Sequence, residues 1–342
     1  EQLKKIMGLG DSGVEIGDLR RRIGEAQDGI DNLMGQGQGA AMAHPPSPGV
    51  QPPAGHASAE AHTSHEPSDP ELEENPAVKQ YYEFLDSLVV NESDKEKLKK
   101  IPFGYKDAVI IARKQAKNPN LPTPSIEKTI EEIMKMPVDV LKEVAKFGKP
   151  TLLMTPPNTM AKKQEAMNEY KPYVDKGTNE TQNDMFFGES ENSTLWGPRP
   201  AKLQVTITDG MPTMPQLSFE LLAKKWGERY KAIYANLKSR KLRMITAHEF
   251  AGLEQMSLMN YEKAKNNQNH PNHQNPEKEI VDFYVSGHNE VVTVFYQPEQ
   301  SLTNLQKIPC GYFNSGTRRV GFDWYDPSDE YANLRFRPSV QV

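Results

Sequence analysis

The chain has 342 residues, 36% of them hydrophobic, with a mean hydropathy of −0.72 and a formal net charge of −5. That length suggests two domains, or one domain with a long extension, and the low apolar content places part of the chain outside any core. The single cysteine, Cys310, excludes an intrachain disulfide and any cysteine-based metal site, and no apolar run approaches the roughly 18 residues that span a bilayer.

No signal-peptide pattern is visible, so the expectation is a cytoplasmic or intracellular protein, with a virion as one setting, and without membrane insertion. Charge is unevenly placed. Between Arg22 and Lys79 there is no Lys or Arg, while Glu25, Asp28, Asp31, Glu60, Glu66, Asp69, Glu71, Glu73 and Glu74 all fall there. Residues 1–22 carry about +1 and residues 79–342 about +3, so an acidic arm is joined to a mildly basic body.

Residues 1–35 show a helical repeat. Leu9, Ile16, Leu19, Ile23, Ala26, Ile30 and Leu33 alternate at spacings of three and four once Ser12 fills the gap, the pattern of a short coiled coil. Gly8, Gly10, Gly13, Gly17, Gly24, Gly29 and Gly35 interrupt it, each costing about 1 kcal/mol inside a helix. A helix so weakened needs a partner, and Leu9, Ile16, Leu19, Ile23, Ile30 and Leu33 are the candidate docking residues; a frayed amphipathic segment is the competing reading. Residues 36–75, with His44-Pro45-Pro46-Ser47-Pro48 and then Ala, Ser, His and Glu, form a Pro/Ala/His-rich acidic linker. It holds too little apolar surface to offset the entropy of ordering it.

Residues 76–149 read as a small helical bundle. Asn75 caps a first helix that Pro76 opens, with Val78, Tyr81, Tyr82, Leu85, Leu88 and Val89 buried. Ser93-x-x-Glu96 is a capping box for the next helix. A third helix covers 105–117 with Val109, Ile110 and Ala116. Ser125 caps a fourth carrying Ile126, Ile130, Ile133 and Met134. Pro137 breaks it, and Val138 starts a fifth that Gly148 and Pro150 end. Residues 150–200 read as an irregular connector with one helix from Met160 to Tyr170.

Residues 201–342 read as an α+β domain. Leu203, Val205 and Ile207 alternate as a strand. A helix is expected from Gln216 to Lys241, and a second from the capping box Thr246-x-x-Glu249. Residues 265–278, rich in Asn, Gln, His and Pro, read as a solvated loop. Two hairpins are expected, 279–297 around Gly287-His288-Asn289, and 312–325 around Asn314-Ser315-Gly316, followed by a last strand at Ala332, Leu334 and Phe336. The expected fold class is α+β: a flexible arm, a helical bundle, then an antiparallel sheet with the two longer helices on one face.

The densest chemical signal is the basic aromatic stretch 224–243. Lys224, Lys225, Arg229, Lys231, Lys238, Arg240, Lys241 and Arg243 are candidate nucleic-acid contacts, since cations at this density neutralise phosphates. Trp226, Tyr230 and Tyr234 are positioned to stack on unpaired bases if exposed. The competing reading makes the aromatics core and the cations a solvated face. Arg318 and Arg319 are neighbours of opposite facing on the second hairpin. His270-x-x-His273, with His248 and Glu249, is a poor frame for zinc in an Asn/Gln loop, and His44, His56, His62 and His65 read as composition bias. Cys310 has no His or basic neighbour to activate it, and Asp323 and Asp326 read as turn and strand residues. No catalytic motif, metal site or cofactor site is read from the sequence. The expectation is therefore a non-catalytic assembly protein contacting copies of itself or neighbouring subunits, of the virion coat, cement or nucleocapsid kind. The alternative is an RNA- or DNA-binding protein using 224–243 on single strands, and the third reading is an enzyme with an unfamiliar site.

Overall fold

The computed structural model describes residues 70–167, 169, 199–211, 224–280, 290–303, 305–314, 319–329 and 334–342. All of them belong to one compact unit, Thr63–Val342. The six candidate docking residues of the arm, the four arm histidines and the first half of the 279–297 hairpin lie outside the described residues, as do 216–223 of the expected long helix.

The helices follow local signals closely. After the single turn α1 (Pro70–Glu73), α2 (Pro76–Ser87) opens where Asn75 accepts a bond from the Ala77 N–H at 2.9 Å. It ends at Ser87 with Leu88 extended, so Val89, expected in the core, is 86% exposed. The cap of α3 (Glu92–Lys99) is Asn91, which accepts from the Asp94 N–H, and not the expected Ser93. Ser93 already sits inside the first turn, because Asn91 has the extended backbone that a cap requires. A 3-10 turn leads into α4 (Tyr105–Ala116), where Val109 and Ile111 are buried and Ile110 points out at 41% exposure. α5 (Ile126–Met134) starts at Ser125, and α6 (Val138–Ala145) follows Pro137.

The stretch expected to be irregular opens with a strand, β1 (Pro150–Thr155), and continues into α7 (Met160–Met167). β1 hides from a search for alternation because Leu152, Leu153 and Met154 are all buried, so both of its faces are apolar. β2 (Gln204–Asp209) pairs with it in antiparallel register, Leu152 opposite Ile207. The basic helix, α8 (Trp226–Ser239), is shorter than expected: Lys224 and Lys225 precede it in non-helical backbone. β3 (Arg243–Met244) then leads to α9 (Ala247–Asn266), whose capping box forms as read, with Thr246 Oγ1 and the Glu249 carboxylate exchanging bonds with each other's N–H.

Glu279, expected in a strand, lies instead in a 3-10 turn, Pro276–Glu279. The remaining strands are β4 (Glu290–Val294), β5 (Ile308–Asn314), β6 (Arg319–Tyr325), β7 (Leu334–Phe336) and β8 (Pro338–Gln341). The chain is mixed α+β, and the strands among the described residues form two four-stranded sheets ordered β1-β2-β8-β3 and β6-β5-β4-β7. The second contains a parallel pair, β4 with β7, because β7 returns from β6 by a crossover and not by a hairpin.

Two hydrophobic clusters hold these layers together, and each draws on helices before residue 150 and on strands after residue 200. One joins Val78, Tyr81, Leu98 and Ile130 to Ile207, Trp226, Tyr230 and Ile308. The other surrounds α9 and joins Ile111 and Leu153 to Phe250, Phe295 and Phe322. α9 is buried on every side from Ala247 to Met259. Its close approach to β5 depends on Gly311, where a Cβ would stand 2.4 Å from Phe250 Cε1 and 2.6 Å from Phe295 Cζ.

Candidate functional site

α8 is set by its aromatic residues. Trp226 and Tyr230 are 1% and 0% exposed. The Tyr230 hydroxyl donates to the Phe295 carbonyl at 2.6 Å, and Tyr234 stacks on Tyr296 at a centroid distance of 5.8 Å. These rings belong to the core and to its rim, which leaves Trp226 and Tyr230 no face for a nucleic-acid base.

The candidate cations divide into two groups. Towards the end of α8 they meet carboxylates of the same unit: Lys238 reaches Glu299 at 2.7 Å, Arg240 Nε donates to Glu143 at 2.6 Å, and Lys241 reaches Asp139 at 2.9 Å. Arg243 grips the fully buried Glu249, with Nη1 donating to Oε2 at 2.7 Å. Burial pushes the Glu249 carboxyl up, but the charge and hydrogen bonds of Arg243, with the cap at Thr246, outweigh it and hold the group below its ordinary value. Arg229 lies over the Trp226 ring at 5.4 Å and donates through Nε to the Lys224 carbonyl.

Lys224, Lys225 and Lys231 form the second group. All three are exposed and line one open cleft of about 770 Å³ at the start of α8, with Gly227, Glu228, Leu305, Gln306, Asp326, Pro327 and Ser328. The far wall is a turn bound to the helix: Trp226 N–H donates to the Asp329 carbonyl at 3.0 Å and Gly227 N–H to the Pro327 carbonyl at 2.9 Å. Gly227 permits this, because a Cβ there would stand 2.9 Å from Pro327 Cβ. Lys224 has Glu228 at 3.6 Å. Hydrogen bonds from Ser328, and then the charge of Lys225, hold the Asp326 carboxyl below its usual value. Arg319 opens β6, and Arg318 lies outside the described residues.

A second concentration of polar groups is internal, and the sequence reading missed most of it. Lys163, Glu249, Glu254 and Arg337 are each 0% exposed and His248 is 4% exposed. Burial pushes the Lys163 amine down to about 7, against the opposing charge of Glu249. Burial, with the charges of Lys163 and Arg199, pushes His248 down to about 3. Burial raises the Glu254 carboxyl to about 7 against the charge of Arg337, and lowers Arg337 to about 10. Arg337 stands where the chain leaves β7 for β8. Its Nη1 donates to the Gly210 carbonyl at 2.6 Å and its Nε to Thr293 Oγ1 at 3.2 Å, so one side chain links the two sheets. α9 is buried on every side from Ala247 to Met259, so Glu249 and Glu254 have no solvent face, a burial that the polar His248, Gln255 and Ser257 of the same stretch conceal in the sequence. Nothing in the sequence distinguishes the buried Lys163 from the exposed Lys162.

The other sequence candidates sit apart. Cys310 is a buried thiol on β5 opposite Asp323; burial, then the Asp323 charge, pushes it well up. His273 Nδ1 lies 3.0 Å from the Ala264 carbonyl and His270 Nδ1 accepts from the Asn272 N–H. Among the described residues no group of three or more His, Cys, Asp or Glu could hold a metal ion, and no helix is long and apolar enough to cross a membrane. No family model matches the chain, and searches of curated proteins and of solved structures returned no match.

Proposed function

We propose that the chain is a non-catalytic assembly protein, a structural component of a large polymeric complex of the virion coat, cement or nucleocapsid kind, which uses its N-terminal arm for contacts with neighbouring subunits. The observation that carries this reading is the contrast between arm and body. The hydrophobic clusters of the body draw on Leu72 through Phe336. Ahead of Leu72 stand 71 residues with a glycine-interrupted apolar seam and an acidic, Pro-rich stretch. A segment of that composition gains order by folding onto a partner surface. The basic helix supports the same reading, since Lys238, Arg240, Lys241 and Arg243 are engaged by acids of their own unit and act as internal fastenings.

The nucleic-acid reading is supported by the exposure of Lys224, Lys225 and Lys231 and weakened by the burial of Trp226 and Tyr230. The enzyme reading is supported by the shifted groups around α9, all of them enclosed. Light scattering on the chain as it leaves a sizing column, with absorbance followed at 260 and 280 nm, separates the three. Assembly predicts a mass many times 38.6 kDa with protein-like absorbance. Excess absorbance at 260 nm indicates bound nucleic acid. A chain that stays monomeric at every concentration refutes the assembly reading.

A further inference from the structure

Of the eight cations in the basic stretch, four meet a carboxylate within 2.9 Å and Arg229 lies on Trp226. The three that remain, Lys224, Lys225 and Lys231, are the three that line the cleft of about 770 Å³. The carbonyls of Pro327 and Asp329 already take the first N–H groups of α8, so the positive charge of the cleft comes from the lysine side chains.

The lining carries both signs. Glu228 and Asp326 stand among the lysines, and Leu305 and Pro327 supply apolar wall. Glu228 and Asp326 call for hydrogen-bond donors that a run of phosphates lacks, and Trp226 and Tyr230, two of the rings read as candidate base platforms, are buried. A peptide suits such a surface better if it alternates acids with groups that a carboxylate can accept from, and carries a proline for the apolar wall. The chain contains such a stretch, Glu60-Ala-His-Thr-Ser-His-Glu-Pro-Ser-Asp69, with three acids, two histidines and Pro67, inside a segment free of Lys and Arg.

We propose that the cleft at the start of α8 binds the segment Glu60–Asp69 of a second copy of this chain, with Lys224, Lys225 and Lys231 meeting Glu60, Glu66 and Asp69. The inference rests on the assembly reading above and names the surface that receives the arm. Each copy then offers one arm and one cleft. This is a heterologous contact, which extends into rings or filaments instead of closing as a pair.

The test is a charge swap in the full chain, read as self-association by sedimentation equilibrium. The triple change Lys224→Glu, Lys225→Glu, Lys231→Glu weakens association by about tenfold or more, and the Lys→Gln triple weakens it less. The arm triple Glu60→Lys, Glu66→Lys, Asp69→Lys weakens it equally. Mixing the two reversed chains restores association, because each arm then matches only the other chain's cleft. The three lysines are exposed, so unchanged circular dichroism and melting show that the fold is intact. If the reversed cleft assembles like the native chain while Leu19→Asp with Ile23→Asp and Ile30→Asp prevents assembly, the arm reading stands and the cleft proposal falls. If neither change matters, both fall. If the cleft variants lose only co-purifying material absorbing at 260 nm, the lysines serve nucleic acid and the proposal is overturned.

Discussion

Arg243→Ala separates a structural cation from a ligand-binding one. The guanidinium approaches Glu249 with two nitrogens, and Glu249 is 0% exposed. Removing it leaves a carboxylate in the interior with the Thr246 N–H at 2.8 Å and the field of Lys163. Breaking one side of a buried pair costs about 3–5 kcal/mol. For a unit of this size, about 2 °C per kcal/mol gives a melting temperature lower by about 6–10 °C. The double change Arg243→Met with Glu249→Gln keeps the capping acceptor, removes the buried charge and recovers most of the loss. The pH dependence has a fixed sign. Because the folded Glu249 carboxyl lies below its ordinary value, the pair's stability is present above about pH 4.5 and is lost as pH falls through the folded value. The gap between native and Arg243→Ala chains therefore closes on acidification. Thermal and urea denaturation at pH 7 and below measure it. An Arg243→Ala chain that melts within about 1 °C of the native one would refute the reasoning and return Arg243 to the exposed, ligand-facing set.

Two further outcomes follow from the same geometry. Trp226→Ala, at a site 1% exposed, costs about 3–5 kcal/mol in urea denaturation, whereas a base-stacking role predicts native stability with weakened binding to single-stranded oligonucleotides. Glu254 binds its proton more tightly folded, at about 7, than unfolded. The contribution of Glu254 to stability therefore falls as pH climbs from about 4.5 through 7, against the rise that His248, pushed down to about 3, contributes below about 6.5, and Glu254→Gln removes the falling part; urea midpoints whose difference between pH 5 and pH 8 is the same in the variant as in the native chain would contradict the assignment.

Features decided within a few residues could be read from the sequence. Asn75, Ser125 and Thr246 cap helices as expected, since the cap bond lies within three positions. Ser93 misled because Asn91, also a good cap, stands two residues earlier. β1 escaped because a strand buried on both faces loses the alternation that marks a strand. The site divides in the same way. The cations of 224–243 stood out at once, but their partners did not: Glu143 and Asp139 lie 97 and 102 positions from Arg240 and Lys241. Whether a lysine faces solvent or an acid depends on a distant chain segment that no local pattern reports. The cleft is equally nonlocal, because the 326–329 turn that walls it lies about a hundred residues from α8 in sequence.

The placement of β8 between β2 and β3 bears on how the chain reaches its folded state. The bond from Thr208 Oγ1 to the Pro338 carbonyl joins residues 130 positions apart. Closing so large a loop is entropically slow, so β2 and β3 spend the early life of the molecule as open edges. An open edge accepts any strand with suitable spacing, including one from a neighbouring copy. Refolding yield should therefore depend on concentration even in variants whose folded form does not associate, and dilution should favour the pairing of β2 with its own β8.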